Sequence, residues 1–325
     1  MDRFIEIKKL EKLYFGRGFL GRKPSAVRAV DGVSLDIGRN TVFGLVGESG
    51  CGKTTLARSV LYLDPPTSGE VWFDGTLLGE LSSPELRSHR KRMQIVFQDP
   101  NSALNPKMRI QDSLAEGLIN RGFSAKERTK RIDQLLGLVG ITAAHQSRYP
   151  HEFSGGQKQR IVIARALAME PDFLVLDEPV SNLDVSIQAQ IINLLLDLKK
   201  ELSLTYLFIS HDLNLVAYVS DRIGVMHNGR LVELASTDEM MNNPCHPYTL
   251  KLFSSVPGKQ TVDKAPDEDN SERAEDKQTA LPAAGCSYAD QCPDQDQGCL
   301  QAVPDLREIR KGHFVACVRA YIRIN

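Results

Sequence analysis

No stretch of this sequence approaches the ~20 consecutive apolar residues that span a bilayer. Apolar side chains nonetheless make up 42% of its 325 residues, enough to build a sizeable core. Excess charge of either sign is also missing: 40 Lys and Arg against 41 Asp and Glu leave a formal net charge of −1. A chain this balanced has no gross electrostatic pull toward nucleic acid or an anionic lipid surface. The first residues, Met1-Asp2-Arg3-Phe4-Ile5-Glu6, put acids where a secretory leader needs a basic and then an apolar stretch. Internal repeats and heptads are absent as well. These absences predict a cytosolic protein of about two domains, one that reaches a membrane only through a partner.

What is present is unevenly distributed. Cys51 and Cys245 stand alone, whereas Cys286, Cys292, Cys299 and Cys317 crowd the C-terminal end. In a reducing compartment such a cluster points to metal more than to disulfides. Val27–Leu35 and Thr41–Val46 read as strands separated by the Gly38-Arg39-Asn40 turn, and a helix is expected from Lys53. Gly69–Phe73 runs into Asp74-Gly75, a hairpin signal. Helix-like spacing covers 84–92, 111–140 and Ile187–Leu202. The wholly apolar runs Phe173–Leu176 and Thr205–Ile209 read as strands buried on both faces of a parallel sheet. Alternating strands and helices predict an α/β core. Composition changes near Pro257. Residues 259–278 hold seven acids, four bases and almost no large apolar side chain, so a flexible linker is expected over 257–285.

Gly47-Glu48-Ser49-Gly50-Cys51-Gly52-Lys53-Thr54 fits G-x-x-x-x-G-K-[ST] between a strand and a helix. The glycines let backbone N–H groups turn inward around a phosphate, and the following helix adds its positive N-terminus. Lys53 supplies a point charge for β- and γ-phosphates, and the Thr54 hydroxyl reaches Mg²⁺. A glycine-rich turn without a ligand is the alternative. After the Phe173–Leu176 run come Asp177 and Glu178, at the strand end where ligands bind in open α/β sheets. Asp177 suits Mg²⁺, and Glu178 suits the general base for an attacking water. They also suit simple capping of the next helix. Ser154-Gly155-Gly156-Gln157 precedes the helical stretch 158–168 and reads either as an anion site or as an ordinary N-cap.

Together these segments resemble the ATP-binding-cassette (ABC) ATPases over about residues 4–250. The resemblance implies an α/β P-loop NTPase fold, an ABC cassette with an antiparallel β subdomain and a helical subdomain near 98–165. It implies that Gln98 is the glutamine that contacts Mg²⁺ or water and reports to a transmembrane subunit. Ser181-Asn182-Leu183-Asp184 then matches the D-loop, with Asn182 where the family usually has alanine, and His211 matches the histidine that senses the γ-phosphate. Thr55 joins the phosphate contacts. An aromatic that stacks on adenine is expected upstream of the first sheet: Tyr14, with Phe15 or a plain core role for either as alternatives. ATP would be sandwiched between Gly47–Thr55 of one cassette and Ser154–Gln157, with Asp184, of another.

Asn243-Pro244-Cys245-His246-Pro247-Tyr248-Thr249 and the four-cysteine tail look like the ATPases of oligopeptide/dipeptide importers. The spacing C-x5-C-x6-C-x17-C alone leaves zinc, iron–sulfur or free thiols open. The family likeness implies a [4Fe–4S] cluster on Cys286, Cys292, Cys299 and Cys317. The expectation is then an ATPase domain over 1–256, a linker and a small Cys-rich C-terminal tail over 286–325. It is an ATP-hydrolysing subunit on the cytoplasmic face of the inner membrane that powers import of peptides or a related small solute. Its partners are two permease subunits, a paralogous second ATPase and, indirectly, an extracytoplasmic solute-binding protein, with no nucleic acid. A soluble non-transport ABC ATPase and a cluster-gated redox-sensing ATPase are the rival readings.

Overall fold

The structure is a computed structural model and describes residues 3–15, 26–254 and 285–320. The region expected as a linker lies outside the described residues apart from Gly285. Strands β1 (Arg3–Phe15), β2 (Ala26–Gly38), β4 (Ser68–Phe73) and β5 (Thr76–Leu77) form an antiparallel sheet in the order β2-β1-β4-β5. Asp74 (φ 52°) and Gly75 (φ 77°) both take left-handed backbone between β4 and β5. That conformation matches the twist of a two-residue hairpin.

The second sheet has the order β11-β12-β10-β9-β3-β8-β7-β6. Its strands are β3 (Val42–Val46), β6 (Met93–Val96), β7 (Phe173–Asp177), β8 (Thr205–Ser210), β9 (Arg222–His227), β10 (Arg230–Ser236), β11 (Arg307–Arg310) and β12 (His313–Val315). β9, β3, β8, β7 and β6 run parallel, and the remaining pairings are antiparallel. Alternate residues of the apolar runs serve two cores. Val42, Val46, Leu174, Leu176, Tyr206 and Phe208 face one side, while Phe43, Leu45, Phe173, Val175, Leu207 and Ile209 face the other. A strand buried on both faces needs this unbroken apolar composition.

The helices are α1 (Lys53–Val60), α2 (Ser83–Lys91), α3 (Pro100–Ala103), α4 (Ile110–Asn120), α5 (Ala125–Leu138), α6 (Gly155–Leu167), α7 (Val185–Leu202), α8 (Leu213–Val219), α9 (Thr237–Asn242), α10 (Pro247–Ser254) and α11 (Gln297–Gln301). None is long and apolar enough to cross a membrane. The helical stretch expected over 111–140 is two helices. Gly122 turns the chain with φ 87°, and Ser124 starts α5 with a reciprocal Ser124–Glu127 capping box.

The tail is more than a cysteine staple. Its β12 pairs antiparallel with β10, Glu233 opposite Val315 and Leu234 opposite Phe314, and so extends the main sheet. The short run His313-Phe314-Val315 carries too little periodicity to announce itself as a strand.

Candidate active site

Register decides what meets at the carboxyl edge of the parallel strands. Val46 lies opposite Ser210, Asp177 opposite Ile209, and Val96 opposite Leu176. The segments that follow these residues therefore emerge side by side: the Gly47 loop after β3, Glu178 after β7, His211 after β8 and Gln98 after β6. β3 is flanked by β8 on one side and β9 on the other, the switch point at which open α/β sheets form their crevice.

The Gly47–Gly52 loop is shaped by glycines that no other residue can replace. A Cβ at Gly47 would lie 2.1 Å from the Met226 carbonyl oxygen, and one at Gly52 (φ 105°) 2.1 Å from that of Ala29. Lys53 opens α1 and is buried. Its Nζ donates to the carbonyls of Gly47 at 2.7 Å and Glu48 at 2.9 Å, so the ammonium is held against the loop's own backbone. Thr54 Oγ1 donates to Asp177 Oδ1 at 3.1 Å, from the first turn of α1 to the end of β7. Burial pushes the Asp177 carboxyl above the usual carboxylate range, the Thr54 hydrogen bond opposes this, and the neighbouring Glu178 charge adds to it. A hydroxyl and a buried carboxylate at a phosphate loop are hard oxygen donors of the type Mg²⁺ accepts. The residues therefore fit the ion.

Glu178 takes left-handed backbone (φ 47°), and its N–H donates to Ile209 O at 2.9 Å. One carboxylate oxygen, Oε2, accepts from Gln98 Nε2 at 3.1 Å and lies 3.3 Å from His211 Nδ1. The three residues read as catalytic in the sequence, one from each of three strand ends, thus converge on a single atom. His211 stays more than half exposed, facing the open side of the crevice.

Ser154–Gln157 does not join this group within the chain. Ser154 Oγ accepts from Gln157 N, and Gln157 Oε1 accepts from Ser154 N at 3.0 Å, a capping box that starts α6. A Cβ at Gly156 would meet Ile187 Cγ2 at 2.5 Å, so this glycine lets α6 approach α7 closely just after the Ser181–Asp184 loop. Asp184 itself is the N-cap residue of α7. Tyr14 is 41% and Phe15 67% exposed, so neither is a core residue. Tyr14 donates its hydroxyl proton to Asp64 and lies within hydrogen-bonding reach of Thr55.

The four tail cysteines line one cleft together with His246, Tyr288, Asp294 and Arg319. All are free of disulfides. Burial, reinforced by the neighbouring thiols, pushes Cys286, Cys292 and Cys299 up from the ordinary thiol range. His246 is 1% exposed; its Nδ1 accepts from Tyr248 N at 3.1 Å, which leaves the proton on Nε2. Nε2 has no hydrogen-bond partner, an orphaned buried donor beside four thiols. A hydrogen-bond acceptor held in the cleft would fit that donor. Among the described residues, the grouping of three ligand atoms within 4.8 Å is Glu233, Cys245 and His313, and no three of the tail sulfurs meet that spacing.

The sequence reading missed Glu233, His227, Tyr248 and Tyr288. The Glu233 carboxylate, fully buried in β10, accepts from Cys245 N and His246 N at 2.8 Å each, and His313 Nε2 lies 2.8 Å from its Oε1. One acidic residue inside an apolar run was the available signal.

The profile of ABC transporters matches residues 30–181, and that of the oligopeptide/dipeptide transporter C-terminal region matches residues 232–299. A Brucella ovis protein named as a peptide import ATP-binding protein is 49% identical over 97% of each chain. The oligopeptide transport ATP-binding protein OppF of Bacillus subtilis is 47% identical, over 98% of this chain and 97% of its own. Among solved structures, the dimeric ATP-binding cassette MJ0796 bound to ADP and Pi superposes with a TM-score of 0.63 at 30% identity, covering 72% of this chain and 98% of that one. With these matches, the chain belongs to the ABC transporter family, as an ATP-hydrolysing cassette that carries over residues 232–299 the C-terminal region of the oligopeptide/dipeptide transporters.

Proposed function

We propose that this chain is the subunit whose ATP hydrolysis powers import of peptides or a related small solute through a pair of membrane permease subunits. The observation that carries the reading is the convergence of Gln98 and His211 on Glu178 Oε2, beside the Thr54–Asp177 pair. The relatives' names supply the substrate class.

Gly47, Ser49, Gly50 and Gly52 cradle the phosphates through backbone N–H groups, with Lys53 and Thr55 beside them. Thr54, Asp177 and Gln98 would hold Mg²⁺, which neutralises charge developing on the phosphate oxygens. Glu178 takes the proton of the attacking water, and Gln98 and His211 orient its carboxylate. General-base assistance of this kind contributes ~10²–10⁴-fold. Tyr14 stacks on adenine. Ser154, Gly155, Gly156 and Gln157, with Asp184, complete the site of a second cassette, a paralogue in our reading. Two ATP molecules then close the pair, and loss of the γ-phosphate releases it.

The chain divides into an ATPase domain over 1–256, with a helical subdomain over 98–165, a linker and a Cys-rich region from 286. It works as a peripheral protein at the cytoplasmic face of the membrane, coupled through the permeases to a solute-binding protein outside. Cys286, Cys292, Cys299 and Cys317 would hold a [4Fe–4S] cluster in the cleft they share with His246. When bound, the cluster cross-links a short tail.

Glu178→Gln tests the mechanism. The variant keeps the hydrogen bonds but not the base, so it binds ATP, accumulates as the ATP-closed cassette pair and loses hydrolysis by ~10²-fold or more. Hydrolysis at the unmodified rate would remove Glu178 from the mechanism.

A further inference from the structure

Two side chains of α10 reach the back of the phosphate loop, and residues of the tail hold both from behind. The Glu48 N–H donates to Tyr248 Oη at 2.9 Å. The carbonyl of that same peptide group belongs to Gly47 and accepts from Lys53 Nζ at 2.7 Å. One peptide plane is thus pinned at both ends, by Tyr248 on its N–H and by Lys53 on its C=O. Tyr248 is fully buried, its ring 4.4 Å from that of His227 and 5.4 Å from that of Tyr288, centroid to centroid. Lys251, on the next turn of α10, pairs with the Glu48 carboxylate at 4.0 Å. It also donates to Gln291 Oε1 at 3.3 Å and sits over the Tyr288 ring. Tyr288 and Gln291 both lie between Cys286 and Cys292, so the first half of the tail is mounted on the phosphate loop through α10.

We propose that Tyr248 is a positioning residue for the phosphate loop, braced by Tyr288, so that the tail helps to set the affinity for ATP. The proposal rests on reading Gly47–Thr54 as the ATP site. A loop fixed before the nucleotide arrives loses little freedom on binding, which is affinity gained by preorganisation. Without the Tyr248 hydroxyl, the Glu48 N–H loses its partner in a partly buried setting, and the peptide that orients Lys53 is held at its carbonyl end alone. Bound phosphate then has to order the loop itself. The cost falls on ground-state binding, and a saturated site hydrolyses almost as before.

The test uses Tyr248→Phe, which keeps the ring in its cage and removes only the hydroxyl, and Tyr288→Leu, which removes the brace. Binding of a fluorescent ATP analogue with Mg²⁺ to the full chain, and KM and kcat in the assembled ATPase, are measured against a Lys53→Ala control. Tyr248→Phe should weaken binding and raise KM about tenfold, a change of ~1.4 kcal/mol, with kcat within about threefold. Tyr288→Leu should move KM in the same direction by a smaller factor. KM does not depend on the folded fraction, and kcat is referred to the fraction folded at the assay temperature, so a lower melting temperature does not enter them. If Lys53→Ala loses binding and Tyr248→Phe does not, the brace is wrong and the ATP site stands. If Lys53→Ala binds normally, the reading of the site itself fails and the brace with it. A fall in kcat with KM unchanged also overturns the proposal.

Discussion

At the scale of single residues, Ser154 caps a helix and, in our proposal, also meets a phosphate with the same hydroxyl. Its hydroxyl caps α6, a job that Asp performs as well as Ser and Ala does not. Its proposed second job, facing the γ-phosphate of a partner cassette, tolerates no negative charge. Ser154→Ala should therefore lower stability by ~1 kcal/mol. Ser154→Asp should retain the melting temperature of the original chain yet lose ATP hydrolysis by ~10²-fold, because like charges brought together cost several kcal/mol. Thermal unfolding and steady-state hydrolysis separate the two jobs, and an active Asp variant would leave Ser154 as a cap alone. The strand ends that carry Glu178 and His211 were legible as apolar runs of buried parallel strands, whereas Gln98, which follows the half-buried edge strand β6, was expected from the family resemblance alone. Tyr248 was not legible, since a tyrosine on a short amphipathic helix looks the same whether it fills a core or reaches a loop amide.

At the scale of elements, the docking of β12 on β10 depends on a buried ion pair. His313 and Glu233 are both fully buried, and His313 Nδ1 lies 3.1 Å from Glu239 Oε1, which also accepts from Arg310. Burial opposes charge on His313, but hydrogen bonds to the two carboxylates outweigh it and raise its pKa above the ordinary 6.5. Arg310, then Asn243 and His313, hold Glu239 down to about 2. A raised histidine pKa contributes stability that is complete below about pH 6.5 and is lost as pH climbs through the folded-state value. A lowered carboxylate pKa contributes stability present above about pH 4.5 and lost as pH falls toward 2. The attachment of β12 is thus strongest between these limits. Hydrogen exchange of residues 313–316 should accelerate, relative to the core strands, as pH rises from 6 to 9 once intrinsic rates are divided out. His313→Ala leaves the Glu233 carboxylate buried without its cation, a change that costs ~3–5 kcal/mol in comparable pairs. It should erase that pH dependence. The tail strands escaped the sequence reading for a physical reason. A three-residue strand next to the sheet edge draws its stability from pairing and one ion pair, neither of which leaves a periodic trace. β3, β7 and β8, sealed on both faces, left an unmistakable one.

At the scale of the whole molecule, two of the tail's attachments need not fail together. One is the β12 pairing, with Ala316 N–H donating to Val232 O at 2.8 Å. The other is the cleft where Cys286, Cys292 and Cys299 face Cys317, the chain having just left β12. A group bound by all four thiolates would tie residues 286–299 to the end of that strand and thereby press Tyr288 and Gln291 against α10. Protein purified without oxygen should contain iron and acid-labile sulfide and show the brown colour of a cluster; zinc alone would remove the assignment. Replacing all four cysteines by serine should then raise hydrogen exchange across 286–301 while the amides of β10 and β12 stay protected, because the His313–Glu233 pair is untouched. If Tyr288 braces the phosphate loop, the same variant should bind ATP more weakly without any change in the crevice itself. Uniform loosening of both attachments would instead mean that the tail docks as one unit, with the thiols and the ion pair cooperating rather than acting in parallel.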